Sequence, residues 1–114
     1  MFQTAFVHLR LHSEYSVTDS VVRLNELVAA AAGDQMPALA LTDLGNVFGL
    51  VKFYQAARNS GIKPIIGCDV WIENAAAHDK PYRLLLLCQT RAGYRNLCEL
   101  VTRAYRENQR HGRA

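Results

Sequence analysis

The sequence predicts an α/β fold with a mostly parallel sheet and three main helices, and two observations carry that prediction. Three short, nearly continuous apolar runs, Ala38 to Thr42, Ile62 to Ile72 and Leu84 to Cys88, have the composition of strands covered on both faces. Helical apolar spacing occupies the segments between and after them. The resulting order, strand, helix, strand, helix, strand, strand, helix, implies right-handed crossovers in one layer.

Phe6 to His12 is the first candidate strand, because Phe6 and the aliphatics alternate with His8, Arg10 and His12 and leave one face polar. Asp19 or Ser20 can cap a helix in which Val21, Leu24, Leu27, Val28 and Ala31 share a face, with Gly33 placed to end it. Asn46 is the expected cap of the second helix, whose buried stripe is Leu50, Phe53, Tyr54 and Ala57, with Gly61 as its stop. Asn74 to Pro81 is polar and Ala-rich and reads as a loop or hairpin connection. In the third helix Tyr94, Leu97, Cys98, Val101, Ala104 and Tyr105 recur at helical spacing, Thr90 is the candidate cap, and Glu99 can pair with Arg103 one turn on.

At 114 residues, 50% hydrophobic and 20% charged, the chain suits one soluble globular domain and excludes disorder as the default. The formal charge is +3, and Arg106, Arg110 and Arg113 against Glu107 place +2 of it in the last nine residues, so charge alone does not argue for nucleic acid. Cys68, Cys88 and Cys98 are odd in number, lack CxxC spacing and lie among apolar residues, which points to buried reduced thiols. The start has no basic segment followed by a long apolar one, and no apolar run approaches a membrane span, so a cytoplasmic protein is expected. Four thin strands with few covering helices, and a basic end without its own stop signal, look cut from something larger.

In an α/β layer, ligand-handling groups gather at the carboxyl ends of the strands, where successive loops converge. His12 ends the first strand, Asp43 the second, Asp69 falls within the third, and Asp19 could lean over the same rim. The alternative for Asp19 and Asp43 is a turn or helix-capping role. A hydrolytic metal site needs imidazoles and carboxylates from several loops. Arg10, on the same strand face as His12, is always charged and cannot ligate a cation. His8 lies on that face as well, but roughly 13 Å away at the strand's entry, and reads as structural. His78 and His111 have no partner at ligand spacing. Gly45, Gly49, Gly61 and Gly67 mark turns and form no phosphate-cradling motif, Ser13 and Ser16 sit in no nucleophile elbow, and Trp71 reads as a buried strand residue.

Four stretches occur in order: Phe6-Val-His-Leu-Arg-Leu-His-Ser-Glu-Tyr-Ser16, Pro37-Ala-Leu-Ala-Leu-Thr-Asp-Leu-Gly-Asn46, Gly49-Leu-Val-Lys-Phe-Tyr54 and Gly61-Ile-Lys-Pro-Ile-Ile-Gly-Cys-Asp69. Together they closely resemble the amino-terminal PHP (polymerase and histidinol phosphatase) domain of bacterial DNA polymerase III alpha subunits, of the proteobacterial type. The resemblance runs from about residue 5 to about residue 105. It implies a distorted seven-stranded (β/α) barrel with metal ligands at the carboxyl ends of its strands. Residues 1–114 would then be a partial domain holding only the amino-terminal βα units.

Position by position, the family's H-x-H reads Arg10-Leu11-His12 here, the acidic or His ligand of the next loop matches Asp19, T-D-H-G reads Thr42-Asp43-Leu44-Gly45, and G-x-E reads Gly67-Cys68-Asp69. Arg10, His12, Asp19, Asp43, Leu44 and Asp69 are therefore expected to be a vestigial metal site with no catalytic residue and no cofactor in this stretch. Zinc or manganese would belong to the alternative, and magnesium to a polymerase site lying elsewhere. Arg10 is expected to place a fixed positive charge among Asp19, Asp43 and Asp69. The function implied is a scaffold and docking module of a replicative polymerase, a DNA-directed DNA polymerase and nucleotidyltransferase. Its expected partners are the proofreading exonuclease subunit and other holoenzyme subunits, with DNA reached through the whole protein and no membrane. The alternatives are a metal-dependent phosphoesterase or 3'-5' exonuclease using His12, Asp19, Asp43 and Asp69, and direct DNA binding by the basic tail. With the barrel unclosed, the 114-residue chain is expected to self-associate, and a clean monomer in light scattering would contradict that.

Overall fold

A computed structural model describes residues 6–16, 23–77 and 79–109. Three strands, β1 (Ala38–Leu41), β2 (Lys63–Ile72) and β3 (Tyr82–Leu87), form one sheet in the order β1-β2-β3. Three helices accompany them: α1 (Leu24–Gly33), α2 (Leu50–Asn59) and α3 (Arg91–Glu107). The long strand β2 divides its partners along its length. Its first half pairs in parallel with β1, from Ala38↔Lys63 to Leu41↔Ile66, and its second half pairs antiparallel with β3, from Gly67↔Leu87 to Ile72↔Tyr82. A parallel bridge, Leu44↔Asp69, continues the first direction beyond β1. The connection between β2 and β3 is a hairpin, pinned where the Asn74 amide donates to the Lys80 carbonyl and its oxygen accepts from Ala76.

Leu24, Val28 and Ala31 of α1 and Phe53 and Ala57 of α2 close over Leu39, Leu41 and Ile62 to make the core. Period-3.6 spacing supplies the helix faces, and alternation supplies the strand residues. α3 is held more lightly, with Leu97 its only buried residue. Thr90 caps it as expected, accepting from the Gly93 amide, and Glu99 pairs with Arg103 at 2.8 Å. Among the described residues no helix is long and apolar enough to cross a membrane.

Several expectations are corrected. Phe6 to His12 does not form a strand with a regular ladder. Ala40 donates to the His8 carbonyl and Thr42 to the Leu11 carbonyl, so a step of two residues from Ala40 is matched by a step of three from His8. The Leu11 amide is captured by the Thr42 hydroxyl at 2.8 Å instead of a backbone carbonyl. α1 starts at Leu24, after an extended Arg23 that gives no side-chain cap, so the expected cap at Asp19 or Ser20 is not its start. Both of those residues, with Val21, His78 and His111, lie outside the described residues. Asn46 does not cap α2, which begins after Gly49. It instead ties loops together, donating to the Tyr15 carbonyl and accepting from Phe48. Tyr54 is exposed, with the Arg58 guanidinium over its ring and bonded to its hydroxyl. Of the cysteines only Cys68 is buried; Cys88 and Cys98 are half-buried. Trp71 is half-buried too, covered by Arg83 from the facing position on β3, 4.6 Å from its ring centroid.

Gly33 is the last residue of α1, but the left-handed turn that ends the helix falls two residues later, at Gln35 with φ 58°. Gln35 and Met36 donate back to the carbonyls of Ala32 and Ala31, the paired bonds of a Schellman stop. A side chain with a Cβ is strained there, so Gln35→Gly is expected to raise stability by about 0.5–1 kcal/mol, read from the urea midpoint.

Candidate functional site

The carboxyl rim of β1 and β2 carries a buried polar cluster: Ser13, Thr42, Asp43, Asn46 and Asp69. At its outer end the Asp69 carboxylate, fully buried, receives two donors from Arg10, Nε on Oδ2 at 2.8 Å and Nη2 on Oδ1 at 2.6 Å. His12 Nε2 lies 2.6 Å from Oδ2. An ionised carboxylate only accepts, so Nε2 carries the proton and points it at Asp69. Burial pushes the Asp69 carboxyl upward, but the hydrogen bonds from Arg10 and then His12, with their charges, outweigh it and hold the carboxyl below its ordinary value.

Asp43 belongs to an inner layer. Its carboxylate accepts from the Ser13 amide at 2.5 Å and from the Ser13 hydroxyl at 2.8 Å, which locks the first loop onto β1. The backbone then carries the lock to β2: Asp69 donates to the Asp43 carbonyl, and Gly45, at φ 69°, donates to the Asp69 carbonyl at 2.7 Å. Beneath them the Cys68 thiol lies 3.3 to 3.5 Å from the carbonyls of Asp43, Asn46 and Asp69. Burial pushes that thiol up to about 11, so it sits there as a neutral donor and not a nucleophile.

A model of the PHP domain family matches residues 8–114. This chain belongs to the PHP domain family. The chain is 49% identical over 108 residues to the DNA polymerase III alpha subunit of Pseudomonas aeruginosa, a match covering 95% of this chain and 9% of that one. It is 50% identical over 105 residues to the alpha subunit of Neisseria meningitidis serogroup A, covering 92% and 9%. The PHP chain thus spans about a tenth of the length of these relatives. Its fold is similar to that of an amidohydrolase from Chromobacterium violaceum solved with sulfate bound and no metal, at a TM-score of 0.61, 24% identity, and coverage of 82% of this chain and 32% of that one. It also resembles a protein described as a metal-dependent phosphoesterase from Bifidobacterium adolescentis, at a TM-score of 0.56, 14% identity, and coverage of 91% and 35%.

The PHP fold brings Arg10, His12 and Asp69 into direct contact and places Asp43 one layer below, bonded to Ser13 rather than to Arg10. The expected gathering of carboxylates around the guanidinium therefore holds for Asp69, while Asp19 lies outside the described residues. Leu44 sits opposite Asp69 through its backbone bridge and brings no donor atom. Both Asp69 oxygens face cationic or N–H donors, and among the described residues no three His, Cys, Asp or Glu side chains gather to hold a metal ion.

Spacing along the chain does not reveal the inner layer, in which Ser13, Thr42 and Asn46 bond across the loops and the buried Cys68 thiol, expected from its apolar surroundings, sits against the Asp43 and Asn46 carbonyls. Tyr105, assigned to the apolar stripe of α3, reaches the rim, where a Cβ on Gly45 would lie 3.8 Å from its hydroxyl. Nothing in helical spacing separates a tyrosine at a rim from one in a core.

Proposed function

We propose that this PHP module is the amino-terminal part of a replicative DNA polymerase alpha subunit, with a vestigial metal site, where it acts as a scaffold and docks the proofreading exonuclease subunit. In the whole protein the sheet continues into a (β/α) barrel, and polymerisation belongs to regions outside these residues. One observation carries the non-catalytic reading: a guanidinium and an imidazole N–H occupy both oxygens of Asp69, the position a metal-bearing relative needs for coordination. The near 50% identity to alpha subunits supports the parent protein.

The test reverts the site. The unaltered chain should hold no stoichiometric zinc or manganese and show no chelator-sensitive cleavage of a phosphodiester. Arg10→His, Leu44→His and Asp69→Glu together should raise zinc affinity measurably in calorimetry, because they restore two lone-pair donors and one methylene of reach. Stoichiometric metal with chelator-sensitive turnover in the unaltered protein would establish the phosphoesterase or exonuclease reading instead. Docking is tested separately by titrating the exonuclease subunit onto the chain, and absence of a complex would remove that part.

A further inference from the structure

We propose that the outer face of α3 is a contact surface for the phosphate backbone of nucleic acid. Arg91, Arg95, Thr102 and Arg106 are all exposed. At 3.6 residues per turn they fall within about 60° of arc, and the three arginines span about 22 Å of helix axis. Of the acidic residues of α3, Glu99 borders this arc about 20° beyond Arg106 and Glu107 lies well round the circumference. Glu99 is engaged with Arg103 at 2.8 Å. None of Arg91, Arg95 and Arg106 has an acidic partner among the described residues.

The partner's chemistry follows from what the arc contains and lacks. It offers forked guanidinium donors and no large apolar side chain within its span, the Thr102 hydroxyl being engaged with the Cys98 carbonyl; exposed Tyr94 and Tyr105 flank its Arg91 edge, and exposed Leu100 lies on the far side. A protein partner needs an apolar anchor at the centre of its interface, which this arc does not supply. A nucleic-acid strand needs only a line of positive donors matched to its phosphates, and three arginines spread over about 22 Å can meet three of them. The proposal does not depend on exonuclease docking.

The experiment follows the anisotropy of a labelled duplex oligonucleotide titrated with the whole chain at several salt concentrations. Three phosphate contacts predict a log–log salt slope of about −2.7, or about 40-fold weaker binding between about 50 and about 200 mM salt. Arg91→Gln, Arg95→Gln and Arg106→Gln together should abolish binding, with helix content by circular dichroism unchanged. The corresponding triple Lys replacement should retain the slope, and Arg103→Gln, which touches only the paired arginine, should leave it unaltered. No binding at low salt would overturn the proposal. So would a slope that survives the triple Gln replacement, which would assign binding to Arg110 and Arg113 instead.

Discussion

Asp69→Asn should destabilise the chain by about 2–3 kcal/mol at neutral pH, although it changes neither shape nor volume. The carboxylate is fully buried and accepts from Arg10 through both oxygens and from His12 through one. An amide keeps one acceptor and turns an N–H pair toward donors, so at least one strong hydrogen bond becomes a donor against a donor. The figure sits below the usual cost of breaking a buried ion pair because Arg10 is half exposed and water can solvate it. The acid side gives an independent signature. Asp69 has its folded pKa held below the unfolded value, so its contribution is complete above about pH 4 and is lost as pH falls through the folded value beneath that. Urea denaturation of both proteins should therefore show a wide gap at pH 7 that narrows in acid. Parallel stability profiles down to about pH 3 would mean that the carboxylate's charge is not what holds the rim.

The reach and limit of the sequence are visible in this cluster. Apolar runs located β1 to β3, but the burial on two faces they were expected to mark holds for β1 and the middle of β2 and not for β3, where Tyr82, Leu84 and Leu87 are exposed; the stop at Gly61 and the cap at Thr90 came from local backbone chemistry. Arg10, His12 and Asp69 were legible as a group because each stands at a position where the family keeps a ligand. Their pairing geometry was not, since residues 59 positions apart have no periodic relation. Asp43 shows the difficulty most clearly. A buried aspartate after a strand suits a metal ligand, a turn or a cap equally, and only the three-dimensional placement of Ser13 decides that it anchors a loop. The start of α2 was missed for a related reason. Asn46 has a capping side chain, but its oxygen accepts from the Phe48 amide inside its own loop while its amide donates to the distant Tyr15 carbonyl, so it pins the loop ahead of α2 instead of capping the helix.

Gly67→Ala is expected to cost about 3 kcal/mol or more, at or above the upper end of overpacking effects. Gly67 stands where β2 changes partners, just after the last residue paired with β1 and opposite Leu87 of β3. A Cβ there would meet the Leu86 carbonyl oxygen at 2.5 Å, Leu87 Cδ2 at 2.9 Å and Thr42 Cγ2 at 2.9 Å. The two side chains can turn away, but the carbonyl belongs to the β2–β3 ladder and can move only by spreading the strands. Thr42→Ser in the same background should therefore recover a minor part of the loss, and full recovery would show that side-chain crowding was the obstacle. The consequence extends to the site. Positions 67 and 69 project to the same face of β2, so displacing the strand at Gly67 shifts the Asp69 carboxylate from the Arg10 fork. A lost acid transition in the Ala variant, matching that of Asp69→Asn, would demonstrate that the glycine of this motif is what allows the guanidinium to reach its carboxylate.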